Sequence, residues 1–410
     1  MKNVSTQMIG TGLAQALPFL ATPILTRLYT QDDFARYTTF FAVASILAVA
    51  AGGRYFLAVV LPKKEEDAIR LYNLSIYISI IYALVLALVF QVLYWTDVNR
   101  SEEIVYFVPL YVLFSGLWMS LIHISVRDKS FRINALAKIF QASGYIATAI
   151  ALGLTRISAL GLVIAKTAGI FGSALYLFNR LRVRGFTWRW QAYKEVALRY
   201  IDFPKYNVGP ALLNTLTAQA FILVLTEFYS TEDLGYYGLT FMVLSAPLGL
   251  IGTSYKDVFY QRITELINQE RFKESLMFFR RSAAFLFALG FLIAIVLYFF
   301  GPKLFGIVFG SDWTRSGEFA AILSFSFMVK LVASPLSSVF YAADKIRVAS
   351  VWQILYFIST FTTLGIGVYS LQFDIIQLLY LYLTHEIVPY VIYFVLQYRM
   401  IDGLRTVKQQ

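Results

Sequence analysis

Apolar runs long enough to cross a bilayer follow one another along nearly the whole chain, each bounded by charged residues. In hydrocarbon every backbone N–H and C=O must find its partner inside the protein, so only helices or a closed barrel can accommodate such runs. The 36 Phe and 28 Tyr lie along runs of helical length, not in short alternating segments, which argues against a barrel. With 59% hydrophobic and 14% charged residues in 410, the expected class is an all-α polytopic membrane protein. Twelve helices are expected, near residues 5–29, 35–61, 71–95, 104–125, 132–154 and 159–179, then 206–228, 235–260, 280–300, 317–342, 347–370 and 375–398.

The chain is also written twice. Leu25, Thr26, Tyr29, Asp33, Tyr37, Phe41, Val43, Ser45, Gly52 and Tyr55 recur as the same residue types 200 positions later, without a gap. Chance would give roughly two or three identities in such a window. An even number of helices per copy gives both copies one orientation in the membrane, so the expected plan is two six-helix lobes related by a parallel repeat. The boundaries that follow are an N-lobe over 1–180, a basic linker over 181–205, a C-lobe over 206–398 and a tail over 399–410.

Counted over alternate loops, one side of the membrane carries 24 of the 35 Lys and Arg residues and the other six. The positive-inside rule then places both termini in the cytoplasm, and the net charge of +11 reflects topology; no nucleic-acid partner is needed to explain it. The linker, with Trp188, Trp190, Tyr193 and Tyr200 among its basic residues, reads as an amphipathic segment lying against membrane lipids. There are no Cys and two His, which argues against thiolate or histidine metal sites, and no phosphate-binding loop or nucleophile triad appears. No metal and no cofactor is expected, and an ion gradient is the remaining drive for any transport. The first apolar stretch lacks a signal-peptide cleavage pattern and is kept as a membrane helix.

Five basic residues fall inside the expected spans: Arg54, Lys138, Lys166, Lys256 and Lys330. A charge at the bilayer centre costs at least ~2.5–3.5 kcal/mol on insertion scales, so such residues snorkel, pair, or face a hydrated cavity. Lys138 and Lys256 lie close enough to their cytoplasmic helix ends to snorkel. Arg54 is eight residues from Pro62, about 12 Å along a helix, and Lys166 is equally deep from the other side. All acidic residues of the first lobe sit in or beside loops, so Arg54 and Lys166 have no local counter-ion and are the leading candidates for an anion site. In the second lobe, Lys330 could pair with Glu386 beside His385. That cluster, with Asp257, is the candidate for proton coupling, and a static ion pair is the alternative. Arg27 and its repeat mate Glu227 end the first helix of each lobe and could form a gate. Asp32-Asp33 and Glu232-Asp233 occupy equivalent helix starts, where capping is a simpler cause than catalysis.

Several segments carry a family resemblance: ATPILTRLYTQDDFARY, GGRYFLAVVLPKKEEDA, DLGYYGLTFMVLSAPLGLIGTSYKDVFYQRITE, FGSDWTRSGEFAAIL and SPLSSVFYAADK, followed by Trp352-Gln353. Their order and spacing resemble the Wzx-type polysaccharide flippases, in the superfamily that also holds the lipid II flippases and the multidrug and toxin extruders. The resemblance spans residues 5–398. Phe56 departs from it, because the family commonly has Glu after the pair that is Arg54-Tyr55 here. What it implies is alternating access by two lobes and no enzymatic activity. The implied substrate is an undecaprenyl-diphosphate-linked oligosaccharide, turned from the cytoplasmic to the periplasmic leaflet of a bacterial inner membrane for O-antigen, capsule or exopolysaccharide assembly. Polysaccharide polymerase and chain-length proteins are the implied partners. Arg54 is the first choice for the diphosphate, with Tyr55 and Tyr255 as sugar contacts. A drug or cation exporter, a lipid II-type flippase and a membrane glycosyltransferase or polymerase are the competing classes.

Overall fold

The computed structural model describes residues 2–95, 103–181 and 190–406, which form helices joined by short turns. The helices are α1 Lys2–Leu28, α2 Gln31–Ala48, α3 Glu65–Trp95, α4 Val108–Arg127, α5 Phe131–Leu154, α6 Ala159–Leu181, α7 Trp190–Arg199 and α8 Asp202–Phe228. They continue as α9 Thr231–Pro247, α10 Thr253–Asn268, α11 Phe272–Phe309, α12 Thr314–Leu336, α13 Val339–Ala342, α14 Ile346–Gly365 and α15 Ile375–Thr406. Among the described residues ten helical spans are long and apolar enough to cross a membrane, or 11 if the bent pair Gln31–Ala48 and Ala51–Val60 counts as one. The first expected segment is α1, 27 residues long, which is not among those ten. The protein is a multi-pass membrane protein.

The chain forms two units, Met1–Leu223 and Val224–Gln410. In the first, α5 packs on α1 and α6, and α3 packs on α4. In the second, α12 is the central helix and packs on α9, α11 and α15. The amphipathic part of the linker is α7, which belongs to the first unit. Its Tyr193 and Val196 are buried, Tyr193 meets Tyr77 edge-on at 5.7 Å, and Arg199 pairs with Asp67 at 3.0 Å. Trp188 lies outside the described residues.

The 200-residue repeat is structural. Thr30 caps α2 by accepting from the Asp33 N–H, and Ser230 caps α9 by accepting from the Asp233 N–H. The cap explains the acidic pairs at both helix starts, since each carboxylate sits at a helix N-terminus where unpaired N–H groups and the dipole favour it. Tyr29 donates to the Ala149 carbonyl and Tyr229 to the Phe373 carbonyl, each at 2.7 Å. Tyr37 stacks on Phe41 at 6.2 Å, and Tyr237 on Phe241 at 6.1 Å.

Two expected boundaries differ from the structure. The second helix is not continuous over 35–61: it breaks after Ala48, and the segment Ala51–Val60 leaves at 56° to α2. The outer loop expected from Gly301 to Ser316 is mostly helix, because α11 runs on to Phe309 through Pro302. The Gly pair explains the extension. A Cβ on Gly301 would lie 2.6 Å from the Gly317 carbonyl oxygen, and a Cβ on Gly317 would lie 2.5 Å from that of Gly301, so two bare backbones let α11 and α12 touch there.

Candidate substrate site

The break in the second helix is built by three consecutive left-handed residues, Gly52, Gly53 and Arg54, with φ of 64°, 56° and 56°. Glycine reaches this region freely, whereas Arg54 does so at about 1–3 kcal/mol of strain. Around the break lie short polar side chains. Ser75 donates to the Gly52 carbonyl at 3.3 Å, and Ser120 donates to Ser75 at 2.9 Å. A Cβ on Gly52 would fall 2.3 Å from the Ser75 oxygen, so the close approach requires glycine as much as the torsion does.

Arg54 emerges from this turn half-buried, with its guanidinium carbon 5.9 Å from the Phe56 ring. Its Nε is buried and has no hydrogen-bond partner, and no carboxylate pairs with it among the described residues. The position where the family commonly has an acid holds an aromatic ring instead, and Phe56 in turn packs on His123 at 4.9 Å. His123 was not singled out from the sequence. A lone His within an apolar helix carries no pattern that would reveal it.

Lys166 is positioned by the repeat motif. The Ala159 N–H at the start of α6 donates to Asp33 at 2.7 Å, so the capping residue of α2 also fixes where α6 begins. Two turns along each helix from that joint, Lys166 meets Phe41, with Nζ 4.8 Å from the ring centre, and lies 5.5 Å from the Tyr145 ring of α5. Cation–π contacts of this kind stabilise an ammonium by about 0.5–2 kcal/mol, which does not neutralise it. No acidic partner for Lys166 occurs among the described residues. Arg54 and Lys166 therefore have separate surroundings with one shared property, an uncompensated positive charge.

The second unit treats its deep lysine differently. Lys330 of α12 forms an ion pair with Glu386 of α15, whose carboxylate is fully buried. Tyr356 of α14 donates to the same carboxylate, and the rings of Phe327, Tyr382 and Tyr390 lie 5.3, 5.9 and 5.5 Å from the Lys330 nitrogen. The Glu386 carboxylate is thus met by an ammonium and a hydroxyl, and Lys330 is not placed like Arg54 or Lys166.

Residues 24–318 match the profile of a family described as "Polysaccharide biosynthesis protein". The chain belongs to that family. No curated protein matches it significantly. Among solved structures, the chain is similar to the lipid II flippase MurJ in an inward closed conformation, at 12% identity, TM-score 0.75, over 96% of this chain and 89% of that one. It is also similar to an inward-facing multidrug resistance transporter of the MATE family and MOP superfamily, at 12% identity, TM-score 0.70, over 96% of both chains. A MOP superfamily transporter from Pyrococcus furiosus, whose binding pocket is described as reversed in polarity, matches at 12% identity, TM-score 0.67, over 98% of this chain and 96% of that one. At these identities the likeness establishes the fold.

The remaining candidate residues have other surroundings. Lys138 donates to Thr11 of α1 at 2.9 Å. Tyr55 is buried and donates to the Ala197 carbonyl of α7 at 3.1 Å, so its hydroxyl is turned to the linker helix. Tyr255 is half-buried and stacks on Phe285 at 5.8 Å, while Lys256 and Asp257 on α10 are exposed, apart from the buried Glu386 and His385. Arg27 donates to the Pro23 carbonyl one turn back in α1. Its repeat mate Glu227 is exposed near the end of α8.

Proposed function

We propose that this polysaccharide biosynthesis protein is a flippase for undecaprenyl-diphosphate-linked oligosaccharide repeat units. It turns them from the cytoplasmic to the periplasmic leaflet of a bacterial inner membrane by alternating access of its two lobes. It is driven by an ion gradient, with both termini cytoplasmic and no enzymatic step. The observation that carries the proposal is Arg54: a buried guanidinium nitrogen without an acceptor, beside a strained helix break, and no carboxylate to neutralise it. An unpaired charge of this kind is unfavourable at rest and favourable once an anion arrives, which is the behaviour required of a diphosphate contact.

Lys166 is a second contact for the same headgroup or for an acidic sugar. Lys330, Lys256 and Lys138 rank below it because each is paired, exposed or hydrogen-bonded. The family and the flippase fold support transport of a lipid-linked saccharide. A drug exporter of the same fold would need buried unpaired carboxylates for cationic cargo, and the unpaired charges on α6 and at the break are basic.

The test is complementation of a strain that lacks its repeat-unit flippase. Expression of this chain should restore surface polysaccharide and clear lipid-linked repeat units from the cytoplasmic face. Normal surface polysaccharide in the strain deleted for this gene alone would sink the proposal.

A further inference from the structure

His385 is buried, with a side chain 6% exposed, and its two ring nitrogens have different neighbours. Nε2 lies 3.0 Å from the Ser359 oxygen. The Ser359 hydroxyl donates its single proton to the Tyr356 carbonyl, at 3.1 Å, so its oxygen is left to accept. In the arrangement where the Ser359 hydroxyl keeps that bond, neutral His385 carries its proton on Nε2. Nδ1 has no hydrogen-bond partner and lies 3.8 Å from the Oε1 atom of Glu386. The two carboxylate oxygens are divided: Oε2 faces Lys330, and Oε1 takes the Tyr356 hydroxyl with Nδ1 beside it.

We propose that Nδ1 of His385 is a proton-binding site, which converts the neutral cluster of Lys330, Glu386 and His385 into one of net charge +1. The proton comes from solvent and no bond breaks. The new N–H is directed at Oε1, so Glu386 is shared between two cations and Lys330 keeps only part of its counter-charge. An anionic group then has a reason to approach Lys330 that it lacks when the pair is alone. The titratable and charged groups facing the site are Tyr237 on α9, Lys330 on α12, Tyr356 on α14, and Tyr382, Glu386 and Tyr390 on α15.

The site stands or falls independently of what the protein carries, because the proton can be observed directly. The chain has two histidines, His123 and His385. His123 Nδ1 lies 2.8 Å from the Met119 carbonyl oxygen, which can only accept, so His123 carries its neutral proton on Nδ1. The full chain, labelled with nitrogen-15 in histidine alone and held in detergent, should therefore show two imidazoles in opposite tautomers at about pH 8. His123→Gln assigns the remaining signal to His385. On acidification to about pH 5.5 the His385 Nδ1 signal should move to the protonated position.

Glu386→Gln should abolish that movement over the same range. If this variant fails to fold because Lys330 is stranded, the double variant Lys330→Gln, Glu386→Gln removes both charges together and should abolish it equally. A His385 signal already protonated on Nδ1 at the alkaline end overturns the assignment. So does one that stays unprotonated at Nδ1 throughout, or one that moves just as far without Glu386.

Discussion

Gly52 and Gly252 occupy the same place in the repeat and do opposite things. In the first unit the chain turns left-handed for three residues and the helix breaks by 56°. In the second, residues Leu248–Gly252 form one wide π turn, Gly252 stays right-handed at φ −58°, and α10 follows α9 as one span. The neighbouring residues account for the difference. Gly52 is followed by Gly53 and Arg54, Gly252 by Thr253 and Ser254, and a β-branched residue such as Thr resists the left-handed region. Equivalent segments of the repeat are thus interrupted in two ways, sharply where Arg54 stands and mildly where its counterpart is Ser254.

Substitutions that treat the two units alike should give unlike results. The largest contrast is expected at the deep lysines. Lys330→Met strands the buried Glu386 and should destabilise by about 3–5 kcal/mol, whereas Lys166→Met removes an uncompensated charge and should be neutral or stabilising in thermal unfolding. Next comes the glycine pair. Gly52→Ala meets both the positive φ and the Ser75 oxygen, for about 2–5 kcal/mol. At Gly252 the nearest atom to an added Cβ is 3.7 Å away, so Gly252→Ala should change stability by under about 1 kcal/mol of either sign. Equal losses at the two glycines would remove the distinction between the breaks.

Arg54→Gly should separate strain from function. It should raise stability by about 1 kcal/mol in the same unfolding measurement and yet abolish complementation. The smallest effect is expected where the units agree: Tyr29→Phe and Tyr229→Phe each lose one hydrogen bond to a carbonyl, about 0.5–1.5 kcal/mol, and should match within error.

Much of this was legible in the sequence. The shared acidic positions foretold the caps, because a cap depends on residues a few positions apart, whereas the tyrosine anchors join residues 120 and 144 positions apart and come from tertiary packing. The ion pair of Lys330 with Glu386 was legible too, since two opposite charges deep in apolar helices have little alternative to meeting. The helix break was not. Gly52 stands out in the sequence only as a repeat position, and only the serines of α3 and α4 packed around it reveal why the chain turns there. Nor was the aromatic setting of Lys166, because Tyr145 reaches it from α5 through tertiary packing alone. The proline and glycine at 301–302 suggested a loop, and close packing of α11 on α12 overrode that tendency.

The measurement that bears most directly on the central claim is binding of undecaprenyl diphosphate to the purified protein, wild type against Arg54→Gln. The exposed variant Lys64→Gln serves as a control of equal charge change. Loss of a charged hydrogen bond to the headgroup, about 1.5–3 kcal/mol, should weaken binding by roughly tenfold to a hundredfold in Arg54→Gln and leave Lys64→Gln near wild type. Equal affinity in all three proteins would contradict the assignment of Arg54 as the anion contact.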